Sequence, residues 1–477
     1  MTTPTIKTEI CIIGAGSGGL SIASGAAQLG MDVVLIEKAD MGGDCLNTGC
    51  VPSKALLAAG KRAQAHRKDD IQGIKAHEPD INFSSVKDHV FDVIGTIEPH
   101  DSQERFEGLG VNVIREHGEF TDHKTVKAGD HIIQAKKFVI ATGSRAFIPP
   151  IKGIDKTRVF TNETIFALRE KPDHLLIIGG GPIGVEMAQA HRRLGCKVSI
   201  FDMGKILPRD DAKNVAVVYE ALIKERIDIH ENFSIDEIQH GDKTHKIIGT
   251  KDGQNITIEG SHILVAAGRK PNSDKIGLNN TSIKHDNRGV TVNAKLQTSQ
   301  HHIYAIGDVA GGPQFTHVAG YHAGLLIKQI CFKIPAKVNY SALPWVTYTD
   351  PELAQVGLTE NDARAKHGDS IKIVEWSFNE NDRAIAEKAT DGQARVITDK
   401  KGRILGASIV GAHAGELIAV WGLAISQKMK ISAMTSTIAA YPTLGEINKR
   451  AAGAYYTPSL FSSKTRKIVR ILQKLPF

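Results

Sequence analysis

ICIIGAGSGGLSIASGAAQLGMDVVLIE, Ile10 to Glu37, reads as a strand, a glycine turn, a small-residue helix and a second strand that ends on an acid. Gly14, Gly16 and Gly19 take the positions of a G-x-G-x-x-G turn, and Glu37 follows Gly14 by 23 positions, the context in which that motif holds a dinucleotide. Absent side chains let the backbone approach a pyrophosphate at a helix N-terminus, where unpaired N–H groups and the helix dipole favour negative charge. Glu37 would then accept hydrogen bonds from ribose hydroxyls. A single turn of this kind is weak evidence, since any glycine-rich turn can share its spacing. The unit occurs twice, however. Leu175 to Ile178 leads into GGGPIG with Gly179, Gly181 and Gly184 in register, and Val198 to Phe201 ends at Asp202, again 23 positions from the first glycine. Two copies predict two bound dinucleotides. The Asp202 carboxylate would repel a 2′-phosphate, so the second site is read as taking NAD, with Lys205 and Arg209 close enough in sequence to oppose that preference.

Between the two units stands GGDCLNTGCVPSK, Gly42 to Lys54, with Cys45 and Cys50 five positions apart. Along a regular helix five residues rise about 7.5 Å, more than the roughly 4.4 to 6.8 Å between Cα atoms that a disulfide tolerates. A bonded pair would need an irregular turn, which Asn47 and Gly49 allow, and a disulfide in unusual geometry is easily reduced. Two unpaired, buried cysteines at a helix start are the plainer alternative.

With 477 residues the chain is too long for one hydrophobic core and is read as three or four domains. At 41% hydrophobic and 23% charged, its composition is that of an ordinary globular protein rather than a disordered one. The net charge of +7 is mild for this size and gives no reason to expect a nucleic-acid partner. Five sparse cysteines do not make a secreted disulfide framework, so a cytoplasmic protein is expected, in which a bonded pair is more often catalytic than structural. No basic segment followed by an apolar run opens the chain, and neither a signal peptide nor a spanning helix is expected. No histidine spacing suggests a metal site.

Val139 to Arg145 (VIATGSR), Leu264 to Asn272 (LVAAGRKPN) and Ile303 to Val309 (IYAIGDV) each read as an apolar strand closing on a glycine turn, and Asp308 could grip a sugar hydroxyl. Pro149 and Pro150 mark a boundary, and from about Pro335 shorter alternating strands and helices suggest an α+β region. The expected fold is α/β: two Rossmann-like dinucleotide domains plus a C-terminal α+β domain. The boundaries are drawn at 1–150 and 273–340 for the two parts of the first dinucleotide domain, 151–272 for the second, 341–450 for the α+β domain, and 451–477 for a tail.

The order of these segments, together with TDPELAQVGLTE (Thr349 to Glu360), resembles the flavoprotein disulfide reductases nearly end to end. PSK after the second cysteine, with Asp202, resembles the dihydrolipoamide dehydrogenase branch. The resemblance implies that Cys50 lies against the flavin, that Cys45 faces the substrate, that Lys54 sits by the flavin's reactive nitrogen, and that Glu186 is its ion-pair partner. It further implies that the first dinucleotide domain holds FAD and the second NAD, that the C-terminal α+β domain is a dimerisation domain, and that cofactor contacts fall at Gly118, Thr142, Gly143, Asp308, Gly268 and Arg269. The implied activity is oxidation of dihydrolipoamide by NAD in a homodimer, acting on a small disulfide or dithiol or on the lipoyl domain of a 2-oxo acid dehydrogenase complex. A reductase for mercuric ion or another acceptor is the competing enzyme, and a flavin-binding docking protein the alternative of another class.

Two segments depart from the family pattern. AAYPTLGE puts Tyr441 where lipoamide and glutathione enzymes of the family carry His, with Glu446 retained; both are counted among the catalytic residues. Tyr ordinarily titrates near pH 10 and His near 6.5, so Tyr441 can supply a proton but is a poor base. Mercuric reductases need a further C-terminal cysteine pair, whereas the last cysteine here is Cys331. After Glu446 the chain holds no acid. Lys449, Arg450, Lys464, Arg466, Lys467, Arg470 and Lys474 follow, with Ile468, Ile471, Leu472 and Leu475 at helical spacing. This basic amphipathic tail is expected to pack on its own dimer, ahead of contact with an anionic membrane surface.

Overall fold

The computed structural model describes residues 5–67 and 71–475. They divide into two compact units, one formed by the chain up to Ala63 with Pro79–Met203 and Asn232–Val338, the other by Gln64–Glu78, Gly204–Glu231 and the chain from Asn339 onward.

In the first unit β1 (Thr5–Ile13), α1 (Ser17–Gln28) and β2 (Val33–Ile36) form the expected strand, helix and strand. Next come two short-spaced helices, α2 (Gly43–Asn47) and α3 (Cys50–Arg67), and four strands: β3 (Val111–Ile114), β4 (Gly118–Asp122), β5 (Thr125–Ala128) and β6 (His131–Ile140). The sheet runs β3-β2-β1-β6-β5-β4. β1 lies parallel to β2 and β6, with Ile13 opposite both Ile36 and Ile140. Its apolar runs are continuous because both faces are covered. Ile10, Ile12, Val33, Leu35 and Val139 join one core with Leu20, Ala23 and Leu326, while Cys11, Ile13, Val34, Ile36 and Ile140 join the other with Phe120 and Phe138. Successive residues of a strand thus serve opposite cores.

The second unit of the repeat builds β7 (His174–Ile178), α4 (Pro182–Arg193) and β8 (Lys197–Phe201), with β9 (His262–Val265) on the other side of β7. All five residues of β7 are buried. β10 (Ile303–Ala305) then returns to lie parallel to β6, and α5 (Thr316–Ile330) covers the first core. The turns at Gly14, Thr142–Gly143 and Gly307–Asp308 therefore all leave the carboxyl ends of neighbouring parallel strands, where open α/β sheets bind ligands.

The other unit centres on a five-stranded antiparallel sheet in the order β11 (Pro344–Thr347), β12 (Glu352–Gly357), β15 (Ile404–Gly411), β14 (Gln393–Asp399), β13 (Ile371–Ser377). Helices α6 (Ala419–Ser426) and α7 (Glu446–Ala454) close its core through Trp421, Ala424, Ile447 and Ala451. Arg395 on β14 is almost fully buried, an arrangement that costs several kcal/mol for an unpaired charge. Asp211, Glu360 and Glu375 all bind its guanidinium, the last two at 2.8 Å. The chain ends in α8 (Ser463–Leu472). Two βαβ glycine units and an antiparallel α+β sheet agree with the expected fold class.

Candidate active site

The two glycine turns are superimposable in their constraints. Gly14 has φ +108° and Gly179 φ +112°, and in each case an added Cβ would stand 2.4 Å from a carbonyl oxygen, of Ala141 and Ala266 respectively. Gly19 and Gly184 pack so close to the turn that a Cβ would lie 1.9 Å from the oxygen of Gly14 or Gly179. Only glycine fits at all four. Gly16 and Gly181 are different: around Gly181 nothing lies within 4 Å of a Cβ, and at Gly16 only the Gly43 backbone does, at 4.0 Å. That open space beside bare helix N-termini suits two anionic dinucleotides. Glu37 accepts from the Ala15 N–H at 2.6 Å and Asp202 from the Gly180 N–H at 2.7 Å, so each acid is aimed at its own turn.

The thiol segment is attached to the first turn. The Gly42 N–H donates to the Ala15 carbonyl at 3.0 Å, and Gly43, at φ +61°, comes so near Gly16 that a Cβ would stand 2.7 Å from its Cα. α2 ends at Asn47 and α3 begins at Cys50, so the two cysteines stand on separate helices, with the irregular turn between them that a bonded pair would need. Gly49 makes the break possible, because a Cβ there would meet the Asp44 carbonyl at 2.7 Å. Both cysteines are free thiols, near enough for each to shift the other's titration. Their mutual interaction pushes Cys45 up and, first among several causes, holds Cys50 down to about 6. Burial opposes the lowering at Cys50, while the Thr316 hydroxyl, 3.3 Å from its sulfur, and the Lys54 ammonium support it. Cys50 also opens α3, whose N-terminal dipole favours a thiolate. Lys54, one turn further on, reaches Glu186 of α4 at 2.8 Å, and that carboxylate is only 5% exposed.

The remaining expected cofactor contacts fall around the same strand ends. Gly143 (φ +66°) and Gly268 (φ +128°) have left-handed backbones with open space beside them. Thr142 is fixed by donating to the Asn272 carbonyl at 2.8 Å. Gly118 is held by packing, since a Cβ would sit 3.2 Å from Ile36. Asp308 accepts from the Ser144 hydroxyl at 2.5 Å, and burial raises its carboxyl above the usual range. Arg269 donates to the same hydroxyl at 2.7 Å and lies 3.3 Å from the Asp44 carboxylate. The sequence reading did not single out Thr316, Ser144 or Asp44. Nothing local in the sequence marks Thr316 as a thiol partner. Tyr441 and Glu446 belong to the other unit. Tyr441 is 69% exposed and donates its hydroxyl to Asp382 at 2.9 Å, a bond that raises the phenol above its usual range. Glu446 opens α7 and lies 3.9 Å from Arg450. Among the described residues no group of three or more acids, histidines or cysteines is placed to hold a metal ion.

Residues 8–323 match the model of the pyridine nucleotide-disulphide oxidoreductase family, and residues 343–452 match that family's dimerisation domain. A dihydrolipoyl dehydrogenase of Geobacillus stearothermophilus is 35% identical over 455 residues, 94% of this chain and 96% of that protein. A mercuric reductase of Lysinibacillus sphaericus is 31% identical over 447 residues, 93% of this chain and 82% of its own. Among solved structures, the HOCl-induced flavoprotein disulfide reductase RclA of Escherichia coli aligns with TM-score 0.83 and 26% identity, over 93% of this chain and 99% of that one. Matched along nearly its whole length, the chain belongs to the pyridine nucleotide-disulphide oxidoreductases, enzymes that use FAD and NAD to exchange electrons with sulfur.

Proposed function

We propose that the protein oxidises dihydrolipoamide with NAD through a Cys45–Cys50 disulfide, as its dihydrolipoyl dehydrogenase relatives are named for doing. One observation carries this reading: two thiols that shift each other's titration in opposite directions, the lowered one 3.3 Å from the Thr316 hydroxyl, on a segment hydrogen-bonded to a nucleotide-binding turn. FAD, when bound, supplies the two-electron exchange between the dithiol and NAD. Gly14, Gly16, Gly19, Glu37, Gly118, Thr142, Gly143 and Asp308 are the residues proposed to hold it, and Gly179, Gly181, Gly184, Asp202, Gly268 and Arg269 those for NAD. In the oxidised protein a substrate thiolate attacks Cys45, breaking the Cys45–Cys50 bond and freeing Cys50 as a thiolate. The second substrate thiol then displaces Cys45, closing the lipoyl disulfide and leaving the protein dithiol. Thr316 and Lys54 stabilise the Cys50 thiolate throughout, and Glu186 fixes Lys54.

The dimerisation domain supports a homodimer as the working form, in which Tyr441 and Glu446 serve the partner's thiols. Tyr441 holds its proton because Asp382 and, more weakly, Glu446 stand near it. A proton donor suits NADH-driven disulfide reduction better than thiol oxidation. This favours a second reading, a reductase for a disulfide or another acceptor, in the same scaffold. The cytoplasmic location and a lipoyl-domain partner belong to the proposal too.

The deciding experiment is anaerobic titration of the holoenzyme with NADH, followed by steady-state rates with dihydrolipoamide and NAD beside a panel of disulfides, quinones and Hg(II). Long-wavelength thiolate-to-flavin absorbance and two newly alkylatable thiols are expected. Bleaching of the flavin with Cys45 and Cys50 unchanged would end the proposal. Tyr441→His should raise dihydrolipoamide oxidation on the order of tenfold, since it restores a base that titrates near neutrality; an unchanged rate would show that proton transfer is not limiting.

A further inference from the structure

The tail that the function leaves unused has an unusual structural status. Beyond Ala452 no described residue is buried, and α8 stands with Ile468, Val469, Ile471, Leu472 and, just past its end, Leu475 between 45% and 63% exposed. Ile468, Ile471, Leu472 and Leu475 recur at the spacing of one helix face, and Leu460 and Phe461, 56% and 62% exposed, precede them. Arg466, Lys467, Arg470 and Lys474 occupy the opposite side. The helix is nonetheless well formed at its start, where the Ser462 hydroxyl accepts from the Thr465 N–H at 3.2 Å and the Thr465 hydroxyl donates to the Ser459 carbonyl at 2.8 Å.

A helix of ten residues is marginal in water on propensity alone and ordinarily owes its stability to an apolar face that something covers. Its own chain does not supply that cover, since none of its residues is buried; the dimer partner expected from sequence is the rival occupant. Charge points to the kind of surface that would. Among the described residues no carboxylate pairs with Lys464, Arg466, Lys467, Arg470 or Lys474, in contrast to Arg395, which engages three. Two copies of the helix packed face to face would bring these cations together with no acid between them, as none follows Glu446. A lipid bilayer with anionic headgroups satisfies both faces at once: aliphatic side chains enter the acyl boundary while the arginines and lysines meet phosphates in the headgroup layer.

We propose that the segment 457–475 is an in-plane membrane anchor that docks the enzyme on anionic lipid. The test is flotation of the full-length holoenzyme with vesicles of phosphatidylglycerol and phosphatidylcholine, and with phosphatidylcholine alone. Binding to the anionic vesicles only, weakened by added salt, is expected. The double substitution Ile471→Glu with Leu472→Glu should abolish it, and Arg466→Gln with Arg470→Gln should weaken it about tenfold or more. Both variants should keep NADH-reducible flavin, which separates loss of docking from loss of fold. Wild-type protein that stays in solution with anionic vesicles, or that floats equally with both compositions, would overturn the proposal. So would a variant that binds unchanged, or an Ile471→Glu, Leu472→Glu protein whose homodimer dissociates in sedimentation while its lipid binding is unaltered, since the face would then cover a second copy.

Discussion

At Gly14 and at Gly179 the backbone performs the same manoeuvre, with φ within a few degrees, the same clearance to a carbonyl of the neighbouring strand, and an acid bonded back onto the turn. What hangs from the two turns differs. The first has the thiol segment hydrogen-bonded to it through Gly42, while the second sends only Glu186 back, two residues past Gly184, to reach Lys54. The repeated part is thus an anion cradle dictated by glycine geometry, and the chemistry lies in the unrepeated attachments. A duplicated fold can hold two nucleotides with one set of rules and still assign them different work.

Matched substitutions at the equivalent third glycines give the largest effect. A side chain at Gly19 or Gly184 must displace the turn carbonyl 1.9 Å away. Gly19→Val should yield protein without flavin. Gly184→Val should retain flavin absorbance but lose its reduction by NADH, with the reduction by dihydrolipoamide kept. The same loss from both variants would mean that the two turns are not independent sites. Glu186→Gln comes next. It leaves Lys54 without its buried partner, and the rate of flavin reduction by NADH, read by stopped flow, should fall on the order of 10- to 100-fold while NADH binding changes little. A purely structural pair would instead lower thermal stability and leave the rate intact.

Asp202→Ser tests the acid of the second turn. Removing the carboxylate takes away the repulsion of a 2′-phosphate, so kcat/KM with NADPH relative to NADH should rise roughly tenfold. An unaltered ratio would mean that Lys205 or Arg209, rather than Asp202, sets the preference.

The parts legible in sequence are those fixed by neighbouring residues. Gly14, Gly19 and Glu37 announce themselves because the turn, the helix start and the acid are all within one short stretch. The break between Cys45 and Cys50 is legible because a continuous helix spaces them wrongly, and Gly49 permits the bend. Thr316 is a different case, 266 positions from the sulfur it touches. Its role depends on where the start of α5 lands, and spacing carries no trace of that. The partner of Tyr441, Asp382, is 59 positions earlier for the same reason. The tail was legible as an amphipathic helix but not in its lack of cover, which depends on the surface that the rest of the chain presents.

The smallest effect concerns that unseen threonine. Cys50 titrates low because Cys45, then Thr316 and Lys54, stabilise its anion against the burial that opposes it. Thr316→Val deletes one hydrogen bond to a charged sulfur, worth about 1 kcal/mol, which corresponds to roughly half to one pH unit in the midpoint. Loss of a donor favours the neutral thiol, so the midpoint of the long-wavelength absorbance in the two-electron-reduced enzyme should rise from about 6. The signal should therefore shrink in mildly acidic solution and match the wild type in alkaline solution, where both forms are fully ionised. A midpoint that stays put would shift the whole stabilisation onto Cys45, Lys54 and the helix start, making the first turn's attachment, rather than the start of α5, the sole tuner of the thiol pair.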